Sequence, residues 1–287
     1  MSSALEHLDR LEQVLDRQSE PQALAALFHV VTTAPKEIQA GEPGELALGL
    51  DANVVLRLAE RSRTDVVDYL GTRHHGPLIL PGQVVQEFWN NMFPVIESQA
   101  ESIRRKHQSL LDEIKKLDDD SSGFGDRFDD VMKQFGSDYA FALDPTTGAR
   151  LKLVLETLQS HATVPFVPRA RFYPIAEARD RTKTPPGFRD PGQHGDFYVW
   201  ADFLFGLQQA QQDENSYRRA VLVTADQKLD WSRGGRAHPL LVAEVRALLN
   251  VPFEIWSPQQ LSEYVSKSIA AEARPEENAQ PPAALPS

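Results

Sequence analysis

The sequence predicts an α/β protein built on a central, mainly parallel sheet flanked by helices. Three observations carry this. Short apolar runs recur at residues 46–50, 77–80 and 220–224, each too short for a buried helix and right for a strand covered on both faces. The first two runs are each followed by residues with helical spacing of apolar positions, the βαβα alternation that builds an open α/β sheet. Turn-forming residues punctuate the alternation, as in Pro81 and Gly82 after the second run.

The first segment has apolar residues at helical intervals, Leu5, Leu8, Leu11 and Leu15, then Leu24, Leu27 and Val30. It predicts a helical hairpin. The breaker-rich stretch APKEIQAGEPGE separates it from the first apolar run, so residues 1–44 are expected as an appendage packed on the core.

Residues 46–50 form the first predicted strand, and DANVVLRLAERS opens a helix behind it. Val66, Val67 and Leu70 continue a helical face, which the glycines of GTRHHG end. The second strand, at 77–80, leads into the helix QVVQEFWNNMF. Pro94 is expected to kink or restart that helix, which then runs on as a long charged insertion through Leu117. Asp118, Asp119 and Asp120 are expected as its solvated end. ARLKLVLETLQSH predicts a further helix, and residues 196–212 another.

The third strand is 220–224 and a fourth is 253–256, after which Ser257 suits a helix cap and Pro258 the first helical position. The core domain is therefore expected at 45–266. The tail, 267–287, is polar and proline-rich and is expected to be disordered.

A chain of 287 residues with 41% hydrophobic content and no cysteine can bury a substantial core but cannot form disulfides, thiol nucleophiles or sulfur-ligated zinc sites. The charged start and the lack of any long apolar stretch predict a cytoplasmic protein without a membrane partner. A net charge of -11 argues against nucleic-acid binding over the whole surface. Any such binding must be local. The stretch from Arg169 to Arg189 concentrates Arg169, Arg171, Arg179, Arg181, Lys183 and Arg189 against Glu177 and Asp180, with Phe172, Tyr173 and Phe188 among them. Cations beside stacking rings suit single-stranded nucleic acid, so Arg179, Arg181, Lys183, Arg189 and Phe188 are the candidate nucleic-acid contacts. A plain solvated loop is the alternative.

Four acids stand where strands end or helices begin: Asp51, Glu87, Asp196 and Asp226. In a parallel sheet those places share one edge, where α/β proteins bind ligands. Each acid has a local alternative role, helix capping for Asp51 and Asp196 and favourable placement in the helix dipole for Glu87. Gathered together, however, the four would repel each other unless a hard cation such as Mg²⁺ or Mn²⁺ balanced them. Asn53 is expected to steady the turn at Asp51. His74 and His75 are expected in a surface loop, and His194, near Asp196, is only a minor candidate to orient water or contact phosphate. The chain has no GxxxxGK or GxGxxG loop and no GxSxG elbow.

The order of LDANVVL, LPGQVVQEFWNN, TPPGFRD with HGDFYVWADFL, VTADQKLDW and IWSPQQL resembles the larger bacterial PIN-like proteins, relatives of PIN-domain ribonucleases, over roughly residues 46–265. The resemblance implies that Asp51, Glu87, Asp196 and Asp226 are both the metal ligands and the catalytic acids of a Mg²⁺- or Mn²⁺-dependent endoribonuclease. It places Asp230 and Lys228 beside them as supporting residues, with Asn53. Ala52 and Ala225 depart from the family pattern, standing where a hydroxyl residue and an acid are usual. The resemblance suggests a toxin or defence effector acting on single-stranded RNA. The other two readings are an idle PIN-like module that recruits a partner protein and a structure-selective DNA nuclease. Beyond RNA, the candidate partners are a second copy of the chain and an inhibitor or partner protein at the N-terminal helices.

Overall fold

A computed structural model describes residues 2–18, 22–33, 38, 44–59, 63–117, 123, 127–128, 130–131, 146–189, 192–212, 217–226 and 228–272. The sheet has five parallel strands: β1 (Leu46–Leu50), β2 (Leu78–Ile79), β3 (Ala162–Thr163), β4 (Arg219–Val223) and β7 (Phe253–Trp256), in the order β3-β2-β1-β4-β7. A small antiparallel pair, β5 (Ser232–Arg233) and β6 (Arg236–Ala237), stands apart. The expected α/β class with a central parallel sheet is the one found.

β1 lies at the centre of the sheet, pairing with β2 through Leu48 and Leu78 and with β4 along its whole length. All five of its residues are buried, which is why the run carries no alternation. Gly49 is required there: a Cβ would lie 2.5 Å from the Phe203 ring, which packs directly on the strand. Because all strands run the same way, the residues after β1 and β4 emerge at one edge, and these are Asp51 and the segment from Thr224 to Asp226.

The helices are α1 (Ser2–Leu15), α2 (Ala23–Thr32), α3 (Ala52–Leu58), α4 (Thr64–Thr72), α5 (Gly82–Leu117), α6 (Thr146–His161), α7 (Arg169–Arg181), α8 (Gly195–Gln212), α9 (Pro239–Leu249) and α10 (Pro258–Glu272). α5 passes through Pro94 without an interruption. α8 is the central helix, buried from Phe197 to Gln208 apart from Tyr198, with Trp200 and Phe203 fully enclosed.

The N-terminal segment packs on the core, with Leu8, Leu11, Val14 and Leu15 of α1 joining the main cluster against α8 and α9. Burying each such side chain is worth about 1.5–3 kcal/mol. α10 stays helical to Glu272 with Ser268 buried, so the expected tail loses its first residues to that helix. Arg73 pairs with Glu272 at 2.5 Å and Lys267 donates to the Ile38 carbonyl at 2.8 Å, holding that end in place. The basic stretch forms a helix, α7, with Pro174 inside it. The expected acidic helix end at Asp118–Asp120 and the rest of the tail lie outside the described residues. Among the described residues, no helix is long and apolar enough to cross a membrane.

Candidate active site

Asp51 caps α3 directly after β1. Its Oδ1 accepts from the Ala52 N–H at 2.7 Å and its Oδ2 accepts from the Thr224 hydroxyl at 2.7 Å. Burial pushes the Asp51 carboxyl above its usual range; these two bonds oppose the shift, and the nearby charges of Asp196 and Asp226 add to it. The same Thr224 Oγ1 accepts from the Asp226 N–H at 2.9 Å, so one hydroxyl aligns two acids carried by adjacent strands. Asn53, expected to steady this turn, is exposed; Ala52 and Thr224 hold Asp51 instead.

Glu87 reaches the same edge from the second turn of α5. Its Oε1 accepts from Gln83 Nε2 at 3.0 Å, one turn earlier. Gly195 makes room for it, since a Cβ there would meet Glu87 Oε1 at 2.7 Å. Asp196, the next residue, therefore starts α8 beside Glu87. Both carboxyls are raised by burial. Gln83 opposes the shift for Glu87 while Asp51 and Asp196 increase it, and Lys228 opposes it for Asp196 while Asp226 increases it.

Lys228 sits among these acids. Its ammonium lies 2.9 Å from Asp226 Oδ2 and 3.2 Å from Asp196 Oδ2, while its backbone N–H donates to Asp226 Oδ1 at 2.9 Å. Four acids from four separate segments thus share one electrostatic neighbourhood with one internal cation. Among the described residues, no three of them are closed to ligating reach of a single point. With Lys228 bridging two and Gln83 pinning a third, the acids stand around that neighbourhood rather than collapsed into it. The donor set fits a hard divalent cation, being entirely carboxylate oxygen. A cavity of about 440 Å³ opens beside Asp226 and is also lined by Thr224, Arg57 and Arg233.

Asp230 is fully buried and serves the neighbouring loop. Its Oδ2 accepts from the Gly187 N–H at 3.0 Å, which secures the chain after α7. That loop passes close to the site, since a Cβ on Gly187 would lie 3.2 Å from Asp196 Cβ. Lys183 and Arg189 are exposed on it, with the Arg189 guanidinium 6.0 Å from the half-buried Phe188 ring. Arg181 is exposed and pairs with Glu177 at 3.3 Å.

Arg179 is a correction. It is 4% exposed, forks onto Glu244 at 2.8 and 3.2 Å, donates to the Leu15 carbonyl at 3.1 Å and also bonds the Pro185 carbonyl. Glu244 in turn accepts from the Trp200 indole at 2.8 Å. Arg179 ties α1, α7, α8 and α9 together inside the protein, and no phosphate can reach it.

The histidines separate in the same way. Burial lowers His74 to about 4, and its Nε2 has no partner. It lines a cavity of about 620 Å³ with His7, His75 and His161 at the amino-terminal end of β2, on the opposite sheet edge from Asp51. His194 packs on the Tyr173 ring, centroids 5.5 Å apart.

Sequence reasoning missed Thr224, Gln83 and Asp202. Asp202 is fully buried and accepts from the N–H groups of Gln83 and Val167 and from both terminal nitrogens of Arg169 at 3.0 and 2.9 Å. Only the hydroxyl in VTAD, adjoining the strand-end acid, carried a readable signal for Thr224.

Residues 140–244 match a family model described as a PIN like domain. The matched stretch holds Asp196, Asp226 and Lys228, whereas Asp51 and Glu87 precede it and are joined to it by the fold. No curated protein and no solved structure matches the chain.

Proposed function

We propose that the acidic cluster hydrolyses internal phosphodiester bonds of single-stranded RNA with the help of a divalent cation, a reading supported by the match of residues 140–244 to a PIN like domain. The observation that supports this most is the meeting of Asp51, Glu87, Asp196 and Asp226, from four separate segments, around Lys228. Burial and mutual repulsion make such a cluster costly to ionise, and perturbed carboxylates gathered at a sheet edge mark a functional site.

In this reading Asp51 and Asp226 hold the ion most directly, and Glu87 and Asp196 complete its shell or hold a second one. A bound Mg²⁺ or Mn²⁺ would lower the pKa of an attacking water and stabilise charge on the leaving oxygen. Thr224 keeps Asp51 and Asp226 in register for that task. Lys228 offsets part of the negative charge and offers an ammonium to the phosphate. Lys183 and Arg189 on the loop beside Asp196, and Arg57 and Arg233 beside Asp226, would draw the flanking phosphates to an otherwise acidic protein.

The test is digestion of single-stranded RNA, single-stranded DNA and duplex DNA in Mn²⁺, read on denaturing gels. Internal cuts in RNA that are lost with chelator and in Asp51→Asn are expected. Full activity of Asp51→Asn sinks the assignment, and preferential cutting of DNA moves it to a DNA nuclease. A toxin or defence role adds that expression arrests growth and that Asp51→Asn relieves the arrest; harmless expression of the active protein removes it.

A further inference from the structure

An aromatic strip runs along one side of the acidic site. Phe166, 55% exposed, lies against the start of α5, where a Cβ on Gly82 would meet its ring at 2.3 Å. The Arg169 guanidinium is next, 5.9 Å from the Phe166 centroid and 4.3 Å from that of Tyr198. Tyr173, one helical turn after Arg169 on α7, is 49% exposed and meets His194 edge-on. His194 stands two residues before Asp196, so the strip ends at the site.

The strip is built rather than incidental. Arg169 is locked by the fully buried Asp202 through two hydrogen bonds, so its charge is largely neutralised and its guanidinium is fixed beside the Phe166 and Tyr198 rings. Arg169 also donates to Gln83 Oε1 at 3.4 Å, and Gln83 donates to Glu87 Oε1 at 3.0 Å, which ties the strip to an acid of the cluster. Exposed rings held in place by such an arginine are what unpaired bases stack on. A duplex keeps its bases stacked internally and presents phosphates instead, for which a neutralised arginine offers little.

We infer that the strip Phe166–Arg169–Tyr198–Tyr173–His194 is a base-stacking subsite that takes unpaired nucleobases of the RNA strand flanking the scissile phosphate. This rests on the nuclease reading for the direction of the strand but not for the stacking itself. The strip thereby selects unpaired substrate by its rings, while the acids select nothing about the base. Tyr173 is the most informative member, because about half its surface is exposed.

The test is equilibrium binding, by fluorescence anisotropy without metal and at low salt, of a labelled oligouridylate of about a dozen nucleotides and of its abasic counterpart with the same backbone. Wild-type protein is expected to bind the base-bearing strand more tightly. Tyr173→Ala should weaken that binding on the order of tenfold, Tyr173→Trp should preserve it, and neither should change abasic binding. Equal affinity for the two strands, no binding of either, or unchanged affinity in Tyr173→Ala overturns the subsite. Cleavage by the wild type in Mn²⁺ is scored separately, so an inactive protein that still stacks bases refutes the nuclease reading alone.

Discussion

The Thr224 hydroxyl donates to Asp51 Oδ2 at 2.7 Å and receives the Asp226 N–H at 2.9 Å, so a single oxygen couples the acids that end β1 and follow β4. Thr224→Val keeps the shape and removes both bonds. Orienting groups around metal ligands are worth about 10- to 100-fold in activity or metal affinity, so a loss of roughly that size in RNA cleavage is expected. Stability should fall by about 1–3 kcal/mol, because the Asp226 N–H and an Asp51 oxygen lose partners. Thr224→Ser should recover most of both. Equal cleavage by the valine and serine variants would show that the hydroxyl is idle.

Asp51 carries its charge into a buried place that raises its pKa, and this fixes the sign of a pH effect. The unfolded chain loses its proton first as pH rises, so the native state is progressively penalised up to the raised pKa and stays penalised above it. Below the ordinary aspartate range both states are protonated and the penalty is absent. Asp51→Asn cannot ionise. Its amide keeps only one acceptor oxygen and so gives up one of the two bonds at every pH, but without metal its stability relative to the wild type should improve as pH rises from below the ordinary aspartate range to neutrality. Chemical denaturation of both proteins at those two pH values decides this, and a stability difference that stays constant between them would contradict it.

Arg179 and Arg189 belong to the same basic stretch but should respond in opposite ways. Arg179→Ala leaves Glu244 buried without its counter-charge, and breaking a buried pair costs about 3–5 kcal/mol. Arg189→Ala and Lys183→Ala alter exposed side chains and should leave stability within about 0.5 kcal/mol while weakening RNA binding. Parallel unfolding and binding titrations separate the two effects. A stable Arg179→Ala protein with selectively poorer RNA binding would reverse the assignment.

This contrast also marks where the sequence could be read. The gathering of Asp51, Glu87, Asp196 and Asp226 in one neighbourhood was legible because strand ends in a parallel sheet share an edge, a rule that needs only the order of elements. Arg179 was misread because charge in a sequence carries no depth: its partner Glu244 lies in α9, a helix that sequence patterning did not single out, and the contact joins residues far apart in the chain. Asp202 escaped notice for the same reason, since among the apolar residues of α8 it reads as a single polar position while its partners come from α5 and α7 and the segment before α7. α7 itself was hidden by Pro174 and by charges spread around the helix, which leave no apolar stripe to read. β3, two residues long, offers no periodicity at all.

Lys228 gives the sharpest test of how the acids are balanced. Its ammonium lies between Asp196 and Asp226 and is about a third exposed, so water screens it only in part. Without metal it is the cation that offsets their repulsion, and Lys228→Met should lower stability by roughly 1 kcal/mol, discounted from a buried pair for that exposure. A divalent ion entering the same neighbourhood is opposed by the lysine charge, so the variant should bind Mn²⁺ more tightly than the wild type. A ligand that binds only the folded state stabilises it by about 2.7 kcal/mol at about a hundred times its Kd. Thermal shifts across a Mn²⁺ titration should therefore start lower and rise earlier in Lys228→Met. RNA cleavage should nevertheless fall, because the variant offers no ammonium to the phosphate. If Mn²⁺ moves the two proteins equally, the lysine and the ion do not share a site, and the proposed placement of the ion beside Asp226 is wrong.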